Sequence, residues 1–208
     1  TELTKKLFRF FLGSNAKTFI FLSTTELVDR QIEIITETSS ISPINPYLQS
    51  KYEAEQYIQK QNLPEGKRAI ILRVAPLYGR ETKSELHSTF SYYKKFPWFY
   101  GALNAKKSFC NIDNLIDVIY QITENTAVSS GIYNVADDEP ICSIQFINWM
   151  AEVLEKKASI DRIPKGVLNI FAKLGNVFKW EFNTKKLFEK SHSKIVNCDK
   201  LKSELPIS

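Results

Sequence analysis

Two short apolar runs constrain this chain more than any other feature. Thr18-Phe19-Ile20-Phe21-Leu22 and Ala69-Ile70-Ile71-Leu72-Arg73-Val74 are dense in β-branched and aromatic residues, and both stop at polar or turn-forming positions. Runs of that length and composition read as strands buried on both faces. The first ends on Ser23-Thr24-Thr25 and the second at Pro76, whose ring disfavours helix in the residue before it. Between them lies a loop-like stretch, residues 29–46, with Ser39, Ser40, Ser42, Pro43, Asn45 and Pro46, and then a helical pattern from Tyr47 to Gln61. Ahead of the first strand, Leu3, Leu7, Phe10 and Phe11 recur at helical spacing. Helix, strand, loop, helix, strand is the rhythm of an α/β protein whose parallel strands are joined by helical crossovers. Ligands of such sheets sit outside the carboxyl ends of the strands, so Ser23 to Thr25 and Ala75 to Gly79 are expected to face one crevice.

The second half reads as mixed. Helices are expected near 84–95, 113–124, 143–156, 165–178 and 198–205, with an aromatic loop Phe96-Pro97-Trp98-Phe99-Tyr100 and a strand Ile132-Tyr133-Asn134-Val135. No repeat or low-complexity linker divides the 208 residues, which points to one compact body. No uninterrupted apolar run approaches the roughly 18 residues of a membrane span, so no span and a soluble, cytoplasmic protein are expected. The net charge of +5 comes from lysines interleaved with acids, as at Lys51, Glu53, Glu55 and Lys60, which reads as a solvated helix face and not as a nucleic-acid site. Three widely spaced cysteines (Cys110, Cys142, Cys198) and two histidines form no metal-binding pattern, so free buried thiols and no metal are expected. The chain opens on a helical pattern with neither an initiating Met nor a signal segment, as if in the middle of a longer protein.

The chemistry centres on Tyr47 and Lys51. Four residues apart on a helix, they share one face a turn apart. A phenol with an unperturbed pKa near 10 is a poor base at neutral pH, but a neighbouring ammonium favours the phenolate. Taken alone, the spacing is equally well explained by chance on a solvated helix, since the chain has nine tyrosines and many lysines. Context adds weight: hydroxyls at Ser23 to Thr25 end the preceding strand, where they can either hydrogen-bond a substrate oxygen or satisfy loop backbone.

Three ordered stretches resemble landmarks of a known family. Phe19-Ile20-Phe21-Leu22-Ser23-Thr24, Asn45-Pro46-Tyr47-Leu48-Gln49-Ser50-Lys51-Tyr52-Glu53-Ala54-Glu55 and Leu72-Arg73-Val74-Ala75-Pro76-Leu77-Tyr78-Gly79 are similar to the extended short-chain dehydrogenase/reductases, in the branch of NAD-dependent epimerase/dehydratases. Ser108 to Leu115 and Gly131 to Val135 resemble two further family stretches, so the resemblance runs along essentially the whole chain. It implies the C-terminal part of a Rossmann-type parallel sheet flanked by helices, with a small, mostly helical substrate lobe. Residues 1–79, with 108–137 packing back on them, are expected to form the second half of the Rossmann-type domain, and residues 80–107 and 138–208 the lobe.

The resemblance also implies roles. Tyr47 is the expected acid/base, Lys51 its partner and the holder of the nicotinamide ribose, and Thr24 the hydroxyl that polarises the substrate. Ser23 and Pro76 are expected beside the cofactor, NAD or its phosphorylated form NADP. Thr24, Thr25 and Lys107 are expected on a nucleotide-sugar substrate, Lys107 standing where relatives carry a diphosphate-binding Arg; an ordinary solvated lysine is an equal alternative there, and Lys106 is adjacent. A homodimer built on the Tyr47 helix is expected, with Tyr52 and Tyr57 either in that contact or in the core. The loop 96–100 and the segment 165–184 are expected to read the sugar and nucleotide.

Two departures refine the expectation. None of the seven glycines forms the glycine-rich fingerprint that holds a dinucleotide pyrophosphate, so the first βαβ units are expected ahead of Thr1 and this stretch alone is expected to bind NAD poorly. Dehydratases of the branch typically carry Thr-Asp-Glu where this chain has Thr24-Thr25-Glu26, and the missing acid argues against water elimination. An epimerase acting at C4 of a UDP-hexose or UDP-N-acetylhexosamine leads. A 4-keto-sugar reductase or a dehydratase of the same family, and a non-catalytic fragment or degenerate member that binds a nucleotide-sugar, remain as alternatives.

Overall fold

The computed structural model describes residues 1–80, 105–153, 165–178 and 183–205. The expected helix at 84–95 and the aromatic loop 96–100 lie outside these residues. Helix α1 (Glu2–Gly13) leads into strand β1 (Thr18–Thr24), a 3₁₀ turn at Thr25–Leu27 and the short strand β2 (Ile34–Ile35). Helix α2 (Pro46–Gln59) and strand β3 (Arg68–Val74) follow within a residue or two of the sequence reading. Then come β4 (Leu77–Tyr78), β5 (Lys106–Lys107), β6 (Cys110–Asn111), α3 (Ile112–Glu124), β7 (Gly131–Val135) and β8 (Ile141–Cys142). Helices α4 (Ser143–Val153), α5 (Lys165–Phe178) and α6 (Thr184–Ser191), strand β9 (Ile195–Val196) and helix α7 (Asp199–Glu204) complete the described chain.

The main sheet is parallel, in the order β1-β3-β7. Its register sets Thr24 beside Val74 and Val74 beside Val135, so all three strands end at one edge. Central β3 is buried from Ala69 to Val74, as its unbroken apolar run predicts. One face packs against α3 and the chain end through Ile70, Leu72, Leu115, Val118, Ile122, Tyr133, Leu201 and Leu205. The other packs Phe21, Ala69 and Ile71 against Phe8 and Phe11 of α1 and Ala54 and Ile58 of α2. This is the α/β architecture of a Rossmann-type sheet flanked by helices.

Four expectations need correcting. In α1 the buried face is Phe8 and Phe11, while Leu3, Leu7 and Phe10 are exposed: the helical period was right but its phase is set by what α2 and the sheet cover. Glu55 does not sit on a solvated face; it is fully buried against Arg73. Only Cys110 is fully buried, with its thiol pushed up to about 12 chiefly by burial, whereas Cys142 and Cys198 are half-buried. Residues 195–205 return to the main body: β9 pairs with β2, and Leu201 and Leu205 of the α7 segment enter the sheet's core.

One glycine is dictated by geometry. Gly79, after β4, has φ of 140°, and a Cβ there would meet the Ile112 side chain at 2.6 Å. Lacking a Cβ, glycine lets the chain leave β4 this close to the start of α3.

Candidate active site

Helix α2 starts where the loop pattern predicted. Asn45 Oδ1 accepts from the Leu48 N–H at 2.8 Å, and Pro46 occupies the first turn, where its missing N–H costs nothing. That start fixes Tyr47 and Lys51 one turn apart. Lys51 Nζ donates to the Leu22 carbonyl of β1 at 2.8 Å and stands 5.8 Å from the Tyr47 ring centroid and 5.1 Å from that of Phe21. Burial of this ammonium lowers its pKa, with the Glu55 carboxylate working against the shift. Tyr47 is 59% exposed and its phenol oxygen has no hydrogen-bond partner among the described residues. The pair therefore combines a tethered cation with an accessible phenol.

The three hydroxyls at the end of β1 have different surroundings. Ser23 Oγ is buried and has no hydrogen-bond partner among the described residues, an orphan of the kind that usually awaits a ligand or water. Thr24 Oγ1 accepts from the Glu26 N–H at 3.2 Å, capping the 3₁₀ turn and keeping its own proton to donate. Thr25 is buried, with its hydroxyl donating to the Val74 carbonyl at 3.5 Å, and its remaining capacity is as an acceptor.

Beneath Lys51 lies a brace that sequence reasoning missed. Glu55, one more turn along α2, receives three hydrogen bonds from Arg73 of β3, the shortest at 2.7 Å, and Arg73 also donates to the Glu37 carbonyl at 3.1 Å. Glu37 Oε1 in turn accepts from the Asn134 N–H of β7. The chain of contacts locks the helix carrying Tyr47 and Lys51 onto the central strand. Its signal was present: a lone Arg inside an apolar strand needs a buried partner, and the spacing Tyr47, Lys51, Glu55 keeps one helix face.

Beside the start of α2 opens a cavity of about 370 Å³. Asn45, Leu48, Thr25, Pro76 and Lys107 are among its lining, so it gathers one cofactor and two substrate candidates from the sequence. Tyr47, Lys51, Ser23 and Thr24 are not in its wall. Its cationic side was not anticipated beyond Lys107. Arg30 and Lys194 also line it; Lys107 and Lys194 are bridged through their backbones, and burial together with Arg30 lowers the Lys194 pKa. Phe188 and His192, stacked 3.7 Å apart, form an aromatic wall.

Residues 1–136 match the model of the NAD dependent epimerase/dehydratase family. The chain belongs to that family. This family member is 23% identical, over 168 residues, to a UDP-glucose 4-epimerase of Vibrio cholerae, a match covering 78% of this chain and 51% of the relative. Among solved structures it resembles a UDP-glucuronic acid 4-epimerase from Bacillus cereus in complex with NAD, at 17% identity and a TM-score of 0.70, over 99% of this chain and 60% of that one. It also resembles a dTDP-glucose 4,6-dehydratase from Bacillus anthracis, in complex with NAD, at 15% identity and a TM-score of 0.62, over 96% and 58%. Identities this low establish the fold, which enzymes of different reaction share. The chain spans about half the length of the curated relative it matches.

Proposed function

We propose that this chain is the acid/base half of an NAD-dependent sugar-nucleotide epimerase acting at C4 of a UDP-hexose or UDP-N-acetylhexosamine. The observation that carries the reading is the Tyr47–Lys51 pair: an accessible phenol held one turn from a cation, which is itself fixed to β1 and backed by the Glu55–Arg73 brace. In this reading Tyr47 takes the proton of the sugar hydroxyl and later returns it. Lys51 keeps a positive charge beside that phenol and donates to ribose hydroxyls of the dinucleotide. Thr24 donates its free proton to the same sugar oxygen.

The residues present fit the nicotinamide end of a dinucleotide. Ser23 offers a buried hydroxyl with no partner among the described residues, and Lys51, one of whose donors goes to the Leu22 carbonyl, has donors to spare. Pro76 belongs beside the same group. When bound, NAD supplies the site that accepts a hydride from the sugar and gives it back. The cavity is assigned to the nucleotide end of the substrate, with Lys107 on a phosphate and Thr25 as an acceptor. Residues 1–79 with 108–137 form the cofactor-facing half, and 80–107 with 138–208 the substrate side, its last segment returning to the sheet. A homodimer built on α2 is part of the reading, and α1, which packs against α2, adds an apolar face to it: Leu3, Leu7 and Phe10 are 70%, 53% and 78% exposed. So is a cytoplasmic setting; no helix among the described residues is long and apolar enough to cross a membrane.

The test uses the full-length protein with UDP-glucose and UDP-N-acetylglucosamine, following C4 interconversion and nicotinamide absorbance. Interconversion without net change in the nicotinamide band, lost in Tyr47→Phe, supports the epimerase. Stoichiometric consumption of NADPH assigns a keto-sugar reductase. Binding of UDP with no turnover and no affinity for NAD assigns a non-catalytic member.

A further inference from the structure

We propose that Glu37 and Asn134 are positioning residues for substrate binding: they clamp the β2–β9 ribbon to the main sheet and so set one wall of the cavity. The proposal rests on the assignment of that cavity to the nucleotide end of the substrate. Strands β2 and β9 form a sheet of their own, with two residues on each strand. A pairing that short is marginal by itself in water, so its place depends on what ties it down. Yet it carries Ile35 and Val196 into the cavity wall, with Arg30 from the loop ahead of β2 and Lys194 immediately before β9.

The ties come from one row of the main sheet. The parallel register sets Asn134 of β7 beside Arg73 of β3, so both side chains leave the same face. Asn134 is fully buried, and its Nδ2 donates to the Ile35 carbonyl of β2 at 3.3 Å and to the Asn197 carbonyl just past β9 at 3.2 Å. One amide therefore holds both strands of the ribbon. Turning it over would set Oδ1 against two carbonyl oxygens, so the contacts fix its orientation. Oδ1 itself has no partner among the described residues, a burial cost that the two donations offset. The Asn134 backbone N–H donates to Glu37 Oε1 at 2.9 Å, and Arg73 Nη1 donates to the Glu37 carbonyl at 3.1 Å. Glu37 thus fixes the chain two residues after β2 through side chain and backbone together. Without these ties the ribbon would spend part of its time with Ile35, Val196 and Lys194 displaced, and apparent affinity falls with the fraction of competent protein.

The experiment titrates UDP and, separately, NAD into the full-length protein by calorimetry, and measures kcat and KM for C4 interconversion. Glu37→Ala removes one acceptor at a half-buried loop position. It is expected to weaken UDP binding and raise KM roughly tenfold, with kcat, NAD affinity and melting temperature nearly unchanged. Glu37→Gln, whose amide oxygen still accepts the Asn134 N–H, is expected to bind UDP as the parent does. Asn134→Ala removes both donations and is expected to weaken UDP binding at least as far, which keeps the test decisive should Glu37→Ala melt early. UDP affinity unchanged in Glu37→Ala, a fall in kcat with UDP affinity kept, or Glu37→Gln as weak as Glu37→Ala overturns the proposal. Failure of both alanine variants to fold overturns it too, leaving the clamp a role in stability alone. Titration with UDP needs no turnover, so the clamp is decided even where the parent interconverts nothing. A parent that ignores UDP overturns the assignment of the cavity, and the clamp with it.

Discussion

Helices α2 and α5 are both 14 residues long, and they treat their side chains in opposite ways. Helix α2 takes a charged residue, Glu55, to full burial alongside Leu48, Ala54 and Ile58. Helix α5 leaves Val167, Ile170, Phe171, Leu174 and Val177 at least 40% exposed. Residue character does not explain either case. Glu55 is inside because Arg73 meets it with three hydrogen bonds, whereas Ile170 and Val177 of α5 stand 61% and 74% exposed. The surface of α2 is specified by the sheet it serves, while on α5 only Leu168 and Ala172 are apolar side chains taken into the fold.

The largest expected effect tests what α2 is built to hold. Tyr47→Phe in the full-length enzyme should lower kcat by about 10²–10⁴, with substrate affinity by titration nearly unchanged. A variant as active as the parent would remove Tyr47 as the base. Next in size is the brace. Glu55→Gln strands the Arg73 charge in the core and should cost about 3–5 kcal/mol in urea unfolding, whereas Glu55→Leu/Arg73→Met should recover much of that loss. An equal loss in the double variant would mean that packing, and not the unpaired charge, sets the cost.

The pH dependence sharpens the same contrast. Burial lowers the Lys51 pKa below the ordinary lysine value of 10.5, so the folded protein sheds this proton before the unfolded chain does. Its unfavourable contribution to stability therefore applies at neutral pH and is relieved as pH rises through the lowered value. Activity should move the other way, because the ammonium beside Tyr47 disappears: kcat/KM is expected to fall on an alkaline limb below 10.5. Lys51→Arg should lack that limb, and a profile identical to the parent's would detach it from Lys51. The smallest effect belongs to α5. Ile170→Glu, at a 61% exposed position, should change unfolding free energy by no more than about 0.5 kcal/mol, and a larger loss would show that Ile170 is covered.

Much of this was legible in the chain itself. The apolar strands announced the parallel sheet, and the Asn45-Pro46 signal placed the start of α2 and hence the Tyr47–Lys51 spacing. The two-residue strands β2, β4, β5, β6, β8 and β9 were not legible, because two residues carry no periodicity. Nor was the pairing of β9 with β2, which brings Lys194 to the cavity from far along the sequence. The lysines near Lys51 looked like solvated charge because a count of charges does not say which one has a buried partner.

The sequence by itself determined local geometry and chemistry: which runs form strands, where α2 begins, and that a phenol and an ammonium share one helical turn. Those properties depend on neighbours a few residues away. Only the tertiary structure decided which charges are buried and which apolar faces remain open. It set Glu55 against Arg73, Ser23 in a position without a partner, and Arg30, Lys107 and Lys194 around one cavity. Burial and electrostatic pairing are properties of contacts between distant segments, and no local pattern encodes them.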